Sequence, residues 1–316
     1  MIKKDVIIVG GGPAGSACAR RLKQNNVDCL ILEKQSFPRF KPCAGWLTPE
    51  IFNDLDLKVG DYPFGLTEFN SFKISIKKIR FTLPTRQYAI RRWEFDNWLL
   101  NISGVPNDHH EVRTIYKKDG GYCIDDQYWC RSIIGAGGSY CPVRRQFFRD
   151  YHSGSDKRLI VAMEEEFKFN YNDDACQLWF MADHLPGYAW YVPKVDGYVN
   201  VGIGAVAHKL KENNDSLKKH WEKLIKSLAQ KSIIETHDYH PRGHSYYLIN
   251  KDQTVNKEGA FLVGDSAGLA SRDMGEGIRP AVMSGIMAAD AIVNNTKYDI
   301  SSIPVYSFPS ILGFRK

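Results

Sequence analysis

At 316 residues, 43% of them hydrophobic, the chain has material for one large or two ordinary cores. Its net charge of +6 comes from basic residues spread along the sequence. That pattern excludes nucleic acid as a partner and leaves open only a mild attraction to anionic lipid surfaces.

The first element is a βαβ opening. Val6-Ile7-Ile8-Val9 is an apolar run without polar alternation, as a buried parallel strand requires. Gly10-Gly11-Gly12-Pro13-Ala14-Gly15 supplies G-x-G-x-x-G, and a helix is expected from Ala14 to about Gln24. Gly10 permits the tight turn, Gly12 lets backbone approach a pyrophosphate, and Gly15 lets helix and strand pack closely. With Pro13 and Ala14 they turn the helix N-terminus toward an anion. Cys29-Leu30-Ile31-Leu32 is the second strand, and its terminal Glu33, followed by Lys34, stands where a carboxylate accepts from ribose hydroxyls.

Phe37 to Trp46 holds two prolines and a glycine, so it is a loop. It brings Arg39, Lys41, Cys43, Ala44 and Trp46 close behind the nucleotide site; Cys43 is either a passive small residue or a reactive thiol. Phe72, Ile74, Ile76 and then Ile79, Phe81, Leu83 alternate with the period of half-buried antiparallel strands. An amphipathic helix starts near Ala89, with Phe95, Trp98 and Leu99 on its apolar face and Arg92 available for a phosphate.

Val112 to Tyr116 reads as a strand, and Tyr122 to Cys130 as a hairpin turning at Asp125-Asp126. Ile133-Ile134 then runs into Gly135 to Gly138, including Gly137, which returns the chain to the nucleotide-binding sheet. From 159 to 204 four antiparallel strands are expected, at 159–163, 177–181, 188–192 and 198–203. A helix capped by Asp215 or Ser216 follows, with Leu217, Trp221, Leu224, Ile225 and Leu228 on one face and lysines on the other. That basic face is either a solvated surface or a membrane contact.

The last motif is a buried strand from Ala260 ending in Gly264-Asp265, then Gly275-Glu276-Gly277-Ile278 and a helix from about Arg279 to Asn294. Asp265 lies at the carboxyl end of the sheet, where ligands of open α/β folds collect. A second acid for a ribityl chain, and a glycine-rich helix start for negative charge near the ring, point to FAD instead of NAD. No second G-x-G-x-x-G exists for a nicotinamide cofactor.

No apolar run approaches the roughly 18 residues of a membrane span, and the first residues lead into a strand instead of a signal peptide. Cys18, Cys29, Cys43, Cys123, Cys130, Cys141 and Cys176 form no C-x-x-C pair, so neither a zinc site nor a disulfide framework is indicated. We expect a cytoplasmic location, with peripheral membrane contact open.

Taken together and in order, the glycine motif, Arg92 with Phe95-Asp96, the glycine-rich strand end at Gly135 and Gly264-Asp265 resemble FAD proteins built like para-hydroxybenzoate hydroxylase. Within that group, Lys41-Pro42-Cys43-Ala44-Gly45 is similar to the Lys-Pro-Cys-Gly-Gly loop of the geranylgeranyl reductase family. Tyr188-Ala189-Trp190-Tyr191-Val192-Pro193 followed by Gly202-Ile203-Gly204 resembles that family's Tyr-x-Trp-x-Phe-Pro…Gly-x-Gly signature, with Val for Phe.

The resemblance implies a mixed α/β fold, with a Rossmann-like FAD-binding domain of glutathione-reductase and hydroxylase type beside an antiparallel β-sheet substrate domain. It implies an FAD-dependent oxidoreductase that hydrogenates carbon–carbon double bonds of prenyl chains, fed by an external electron donor such as NADPH, ferredoxin or another reductant. Cys43 would stand near flavin and substrate, and Trp46, Tyr188, Trp190, Pro193 and Gly202 would form the substrate pocket; plain sheet core is the competing role for Trp190. Gly137-Gly138 replaces the Asp-Gly of the hydroxylases, and Ser271-Arg272 is expected to put a cation near the flavin edge. The chain ends soon after the last helix, from which we expect a more open pocket or a smaller or presented substrate.

The division expected is 1–62, 88–150 and 251–300 for FAD, 63–87 and 151–250 for substrate, and 301–316 as a tail. A flavin monooxygenase or halogenase is the competing enzyme class, and a flavin-binding electron carrier the competing non-enzyme.

Overall fold

The apolar run at the start of the chain becomes the inner end of β1 (Ile2–Val9), buried from Val6 onward because strands flank it on both sides. The computed structural model describes residues 1–77, 79–149, 155–171 and 173–308. α1 (Pro13–Gln24) follows the glycine turn, and β2 (Cys29–Glu33) lies parallel to β1, pairing Val9 with Leu32. Gly15 is required there: any Cβ at this position would overlap the carbonyl of Gly10, so the first helical turn sits directly on the strand end.

β3 (Trp46–Leu47) and the short α2 (Glu50–Asp54) lead into β4 (Thr67–Ile76) and β5 (Ile79–Ala89). α3 (Arg92–Ser103), β6 (Asn107–His109), the hairpin β7 (Ile115–Lys118) and β8 (Gly121–Ile124), β9 (Tyr128–Gly135) and α4 (Pro142–Phe147) return the chain to the first sheet. Then come β10 (Leu159–Lys168), β11 (Cys176–Phe180), β12 (Gly187–Lys194), β13 (Tyr198–Val206), α5 (Ala207–Glu212), α6 (Leu217–Gln230) and β14 (Arg242–Tyr247). β15 (Asn256–Lys257), β16 (Ala260–Leu262) and α7 (Ile278–Val293) close the order.

The first sheet runs β15–β16–β9–β1–β2–β6, with the β7–β8 hairpin joined to β9. Its parallel register aligns Val9 with Gly135 and Gly135 with Leu262. Three glycine-rich strand ends, contributed by residues more than 250 apart, therefore open at one edge. α1 packs on both α3 and α7.

The second sheet runs β14–β10–β13–β12–β11–β4–β5–β3 and is antiparallel except where β11 meets β4. Alternation gives it two different faces. Tyr191, Val201 and Ile203 pack with Trp221, Leu224 and Leu228 of α6. The other face carries Phe72, Ile74, Leu178 and Trp190. Ser216 caps α6 by accepting from the Lys219 amide, and the lysines of that helix are exposed. Its basic face is thus the exposed side of a packed helix.

Several boundaries differ from expectation for physical reasons. β5 continues to Ala89 by pairing with Thr67, so α3 begins only at Arg92. Ile79 and Phe81 are 69% and 41% exposed: the outer half of β5 lies at the sheet edge, where β4 is its partner and alternation has no core to face. The strand expected from Val112 starts at Ile115, whereas Asp125 and Asp126 do form the turn, both at positive φ. β3 pairs with β5 and so belongs to the second sheet, although it precedes the expected division at 62. Ser307 and Phe308 donate their amides to Asp273; the expected tail from 309 onward, like the division at 150–151, falls outside the described residues.

Candidate active site

The three aligned strand ends border a cleft of about 660 Å³, lined also by β14 and by the loop through Cys43. Glu33, at the end of β2, is buried and holds the glycine turn: its carboxylate accepts from the Gly11 amide at 2.7 Å and the Gln35 amide at 2.9 Å. α1 has no side-chain cap, and a Cβ on Gly12 would meet only the Arg39 guanidinium, at 3.3 Å. At the far end Asp265 lines the cleft beside Gly275, Gly277 and Ile278 at the start of α7, where Glu276 accepts from the Arg279 amide at 2.8 Å.

The cleft thus offers an acid and a helix N-terminus at each end, that of α1 without a side-chain cap. This donor set fits a dinucleotide such as FAD, whose two halves each carry polyol hydroxyls and whose phosphates and reduced ring carry negative charge.

Of the residues singled out in the sequence, Gly10, Gly12, Pro13, Ala14, Glu33, Lys34, Lys41, Cys43 and Arg92 line this cleft. So do Gly137, Asp265, Gly275, Gly277 and Ile278. Gly15 lies beneath the turn, Gly264 is buried with its amide donated to Ser284 Oγ, and Ala44 packs against the sheet. Arg92 is already engaged through its guanidinium. Its Nε and Nη2 grip Asp96 at 2.7 and 2.8 Å, and its guanidinium also reaches the Cys43 thiol. Burial alone would favour its neutral form, but Asp96 more than offsets this and keeps Arg92 charged. Arg39, which also contacts Asp96 at 3.3 Å, is the cation beside the first turn of α1.

The aromatic residues have a separate place. Tyr188, Trp190 and Gly202 share the face of the second sheet that carries Phe72 and Leu178, but they do not line the cleft. The glycine has a packing reason: a Cβ on Gly202 would overlap the indole of Trp190, which lies across the β13 backbone. Trp190 donates its indole N–H to Asn200 at 2.7 Å, and Asn200 donates to the Cys43 carbonyl at 3.4 Å. Tyr188 donates to the Met274 carbonyl at 2.5 Å, just before the α7 start. The sheet face is therefore tied to both loops of the cleft.

Trp46 lies edge-on to Phe72 and bonds Gln87. Pro193 pairs with Val199, which puts it on the α6 side and away from the other four. Arg272 donates to the Ile249 carbonyl and does not border the cleft, so the cation expected at the flavin edge is absent there among the described residues.

Two further residues stand out. His244 borders the cleft, and burial together with Lys41 and Arg92 pushes its imidazole down to about 3, so it is neutral. Glu164 is 1% exposed on β10. The sequence signal for Glu164 was the run Glu164-Glu165-Glu166 in a strand, where a period of two puts the outer acids on one face.

A profile for the geranylgeranyl reductase catalytic domain matches residues 159–238, and one for an NAD(P)-binding Rossmann-like domain matches residues 8–41. The chain is 34% identical to an uncharacterized protein of Methanosarcina barkeri, over 95% of this chain and 77% of that one. It is 28% identical to the chloroplastic geranylgeranyl diphosphate reductase of Arabidopsis thaliana, over 93% of this chain and 67% of the plant protein. The chain belongs to the geranylgeranyl reductase family. Among solved structures, a geranylgeranyl bacteriochlorophyll reductase-like protein from Thermoplasma acidophilum shares the fold, with a TM-score of 0.81, 23% identity, and coverage of 95% of this chain and 81% of that one. As a member, the protein is an FAD-dependent oxidoreductase of the geranylgeranyl reductase type. No helix among the described residues is long and apolar enough to cross a membrane.

Proposed function

We propose that this member of the family reduces carbon–carbon double bonds of a prenyl chain, with FAD lying along the cleft. The observation that carries the reading is the link from Trp190 through Asn200 to Cys43, which joins the aromatic part of a sheet face to the cofactor cleft. An apolar chain needs such a wall.

In this reading the glycine turn and Arg39 hold the pyrophosphate, Glu33 the adenosine ribose, Asp265 the ribityl chain, and the α7 N-terminus faces the ring. Arg92, fixed by Asp96, positions Cys43. Bound FAD in its reduced form supplies a hydride to one alkene carbon. The protein's own work is to hold that carbon against Trp190 and Tyr188, to exclude water, and to deliver a proton on the side of Cys43. Electrons come from an external donor such as NADPH or ferredoxin, and a prenyl lipid would bring the enzyme into peripheral contact with membrane. We also propose that the two sheets mark an FAD-binding and a substrate-binding domain.

Cys43→Ala tests the thiol's part. The variant is expected to keep its flavin spectrum while prenyl reduction falls by about 100-fold or more, the scale of a lost proton-transfer group. Loss of flavin instead, or an unchanged rate, would remove Cys43 from the chemistry.

A further inference from the structure

Beyond the loop of Cys43 lies a second cavity of about 210 Å³, bordered by Lys41, Cys43, Arg91, Arg92, Glu164 and Glu166. It is large enough for a short chain of waters, and three of these residues, Lys41, Cys43 and Arg92, also border the main cleft.

The two acids in it stand two residues apart on the same face of β10, yet their surroundings are opposite. Glu166 takes both nearby cations, accepting from Lys194 at 2.5 Å and from Arg91 at 2.9 Å. Burial would raise its carboxyl, but Lys194 and Arg91 hold it below the usual range. Among the described residues neither carboxylate oxygen of Glu164 accepts a well-formed hydrogen bond. Burial pushes Glu164 up to about 7, and the charge of Glu166 adds to this against the pull of Lys194, Lys41 and the Asn200 amide. From β14 its register partner is Arg242, whose guanidinium lies over Phe40. A buried acid pair pushed apart in this way marks which carboxyl carries a transferable proton.

We propose that Glu164 is the proton reservoir of the site, feeding Cys43 through the cavity they share. This rests on the prenyl-reduction reading for the fate of the proton. As hydride reaches one alkene carbon, Cys43 gives its S–H proton to the other, and the sulfur recovers a proton from the Glu164 carboxyl through water. The alkene gains two hydrogens, the flavin is oxidised by two electrons, and Glu164 is left as a carboxylate facing Lys194 and Lys41 until solvent reprotonates it. Glu164 thus supplies a proton through another residue.

The first test uses apoprotein and needs no turnover. Infrared titration of wild type minus Glu164→Gln should show a carboxyl lost from the variant with a midpoint near neutral pH. Iodoacetamide should alkylate Cys43 faster in Glu164→Gln above that midpoint, by about twofold or more, because a negative neighbour that disfavours the thiolate is gone. In the FAD-loaded protein, wild-type reoxidation by a geranylgeranyl substrate should be fastest below the midpoint and fall as pH rises through it. Glu164→Gln should be slow and lose this limb; Glu164→Asp should restore part of it.

The inference is overturned if no Glu164 carboxyl titrates between pH 6 and 8, or if Cys43 alkylation is the same in both proteins. A variant that reoxidises like wild type with an unchanged pH profile also overturns it. Should Glu164→Gln fail to fold, Glu164→Asp serves as the reference for the infrared difference. Wild-type flavin that no prenyl substrate reoxidises sinks the functional reading instead, while the apoprotein results still decide the Glu164–Cys43 coupling.

Discussion

Asp265→Ala is expected to yield a folded protein that has lost most of its FAD. The carboxylate stands at the far end of the cleft, where the β16 end meets the start of α7, and Gly277 leaves the space in front of it open. Gly264 fixes its position: this residue adopts a positive φ of 57°, and its amide is held by Ser284 Oγ at 2.9 Å. A hydrogen bond to a charged acceptor contributes about 1.5–3 kcal/mol, so one lost anchor weakens binding by about 10- to 100-fold. Flavin absorbance per protein after gel filtration, together with a titration of apoprotein with FAD, measures this. Equal flavin content in variant and wild type would place the ribityl anchor elsewhere.

The second large effect is expected from Gly202→Val, which alters no cofactor residue. Its side chain would overlap the Trp190 indole and also crowd Glu164 Cβ. The ring cannot simply swing aside, because Trp190 is 6% exposed and bonded to Asn200. Overpacking of this kind costs about 1–3 kcal/mol, which for a chain of this size lowers the melting temperature by roughly 2–5 °C. The functional loss should be larger than the stability loss. With Trp190 displaced, the link to Cys43 is cut, and prenyl reduction should drop by about 100-fold or more, since small misplacements of reacting groups have effects of that order. Retained flavin, a modest melting shift and lost turnover are the expected set. Normal turnover would show that the Trp190 face does not touch the substrate.

Local features were the ones legible in sequence. The βαβ opening depends on neighbours along the chain, and the strand, helix and second strand lie where the pattern puts them. Asp265 was legible as well, because a buried strand ending in Gly-Asp can point only to the edge of a sheet. The glycines 202 and 204 were visible as a motif, but their purpose came from pairing: Gly202 stands opposite Trp190 on the neighbouring strand.

Features that depend on how charges share one another were not legible. Arg92 and Asp96 are four apart on a helix, a spacing that allows a pair, but that Arg39 also meets Asp96 depends on a distant loop and could not be seen in sequence. Glu164 and Glu166 are alike in sequence. Only the packing of β12 and the Arg91 turn against one of them separates the two. The exposed Ile79 and Phe81 teach the same lesson for apolar residues: alternation predicts which side faces inward, and only the fold decides whether a core is there.

The measurement that bears most directly on the central claim is anaerobic. FAD bound to the protein is reduced chemically, a geranylgeranyl lipid or diphosphate is added, and flavin absorbance and product mass are followed together. The account predicts reoxidation without oxygen, coupled to a gain of two hydrogens per flavin turned over. Flavin that stays reduced until air is admitted would contradict it, and oxygen-dependent chemistry on another substrate would take its place.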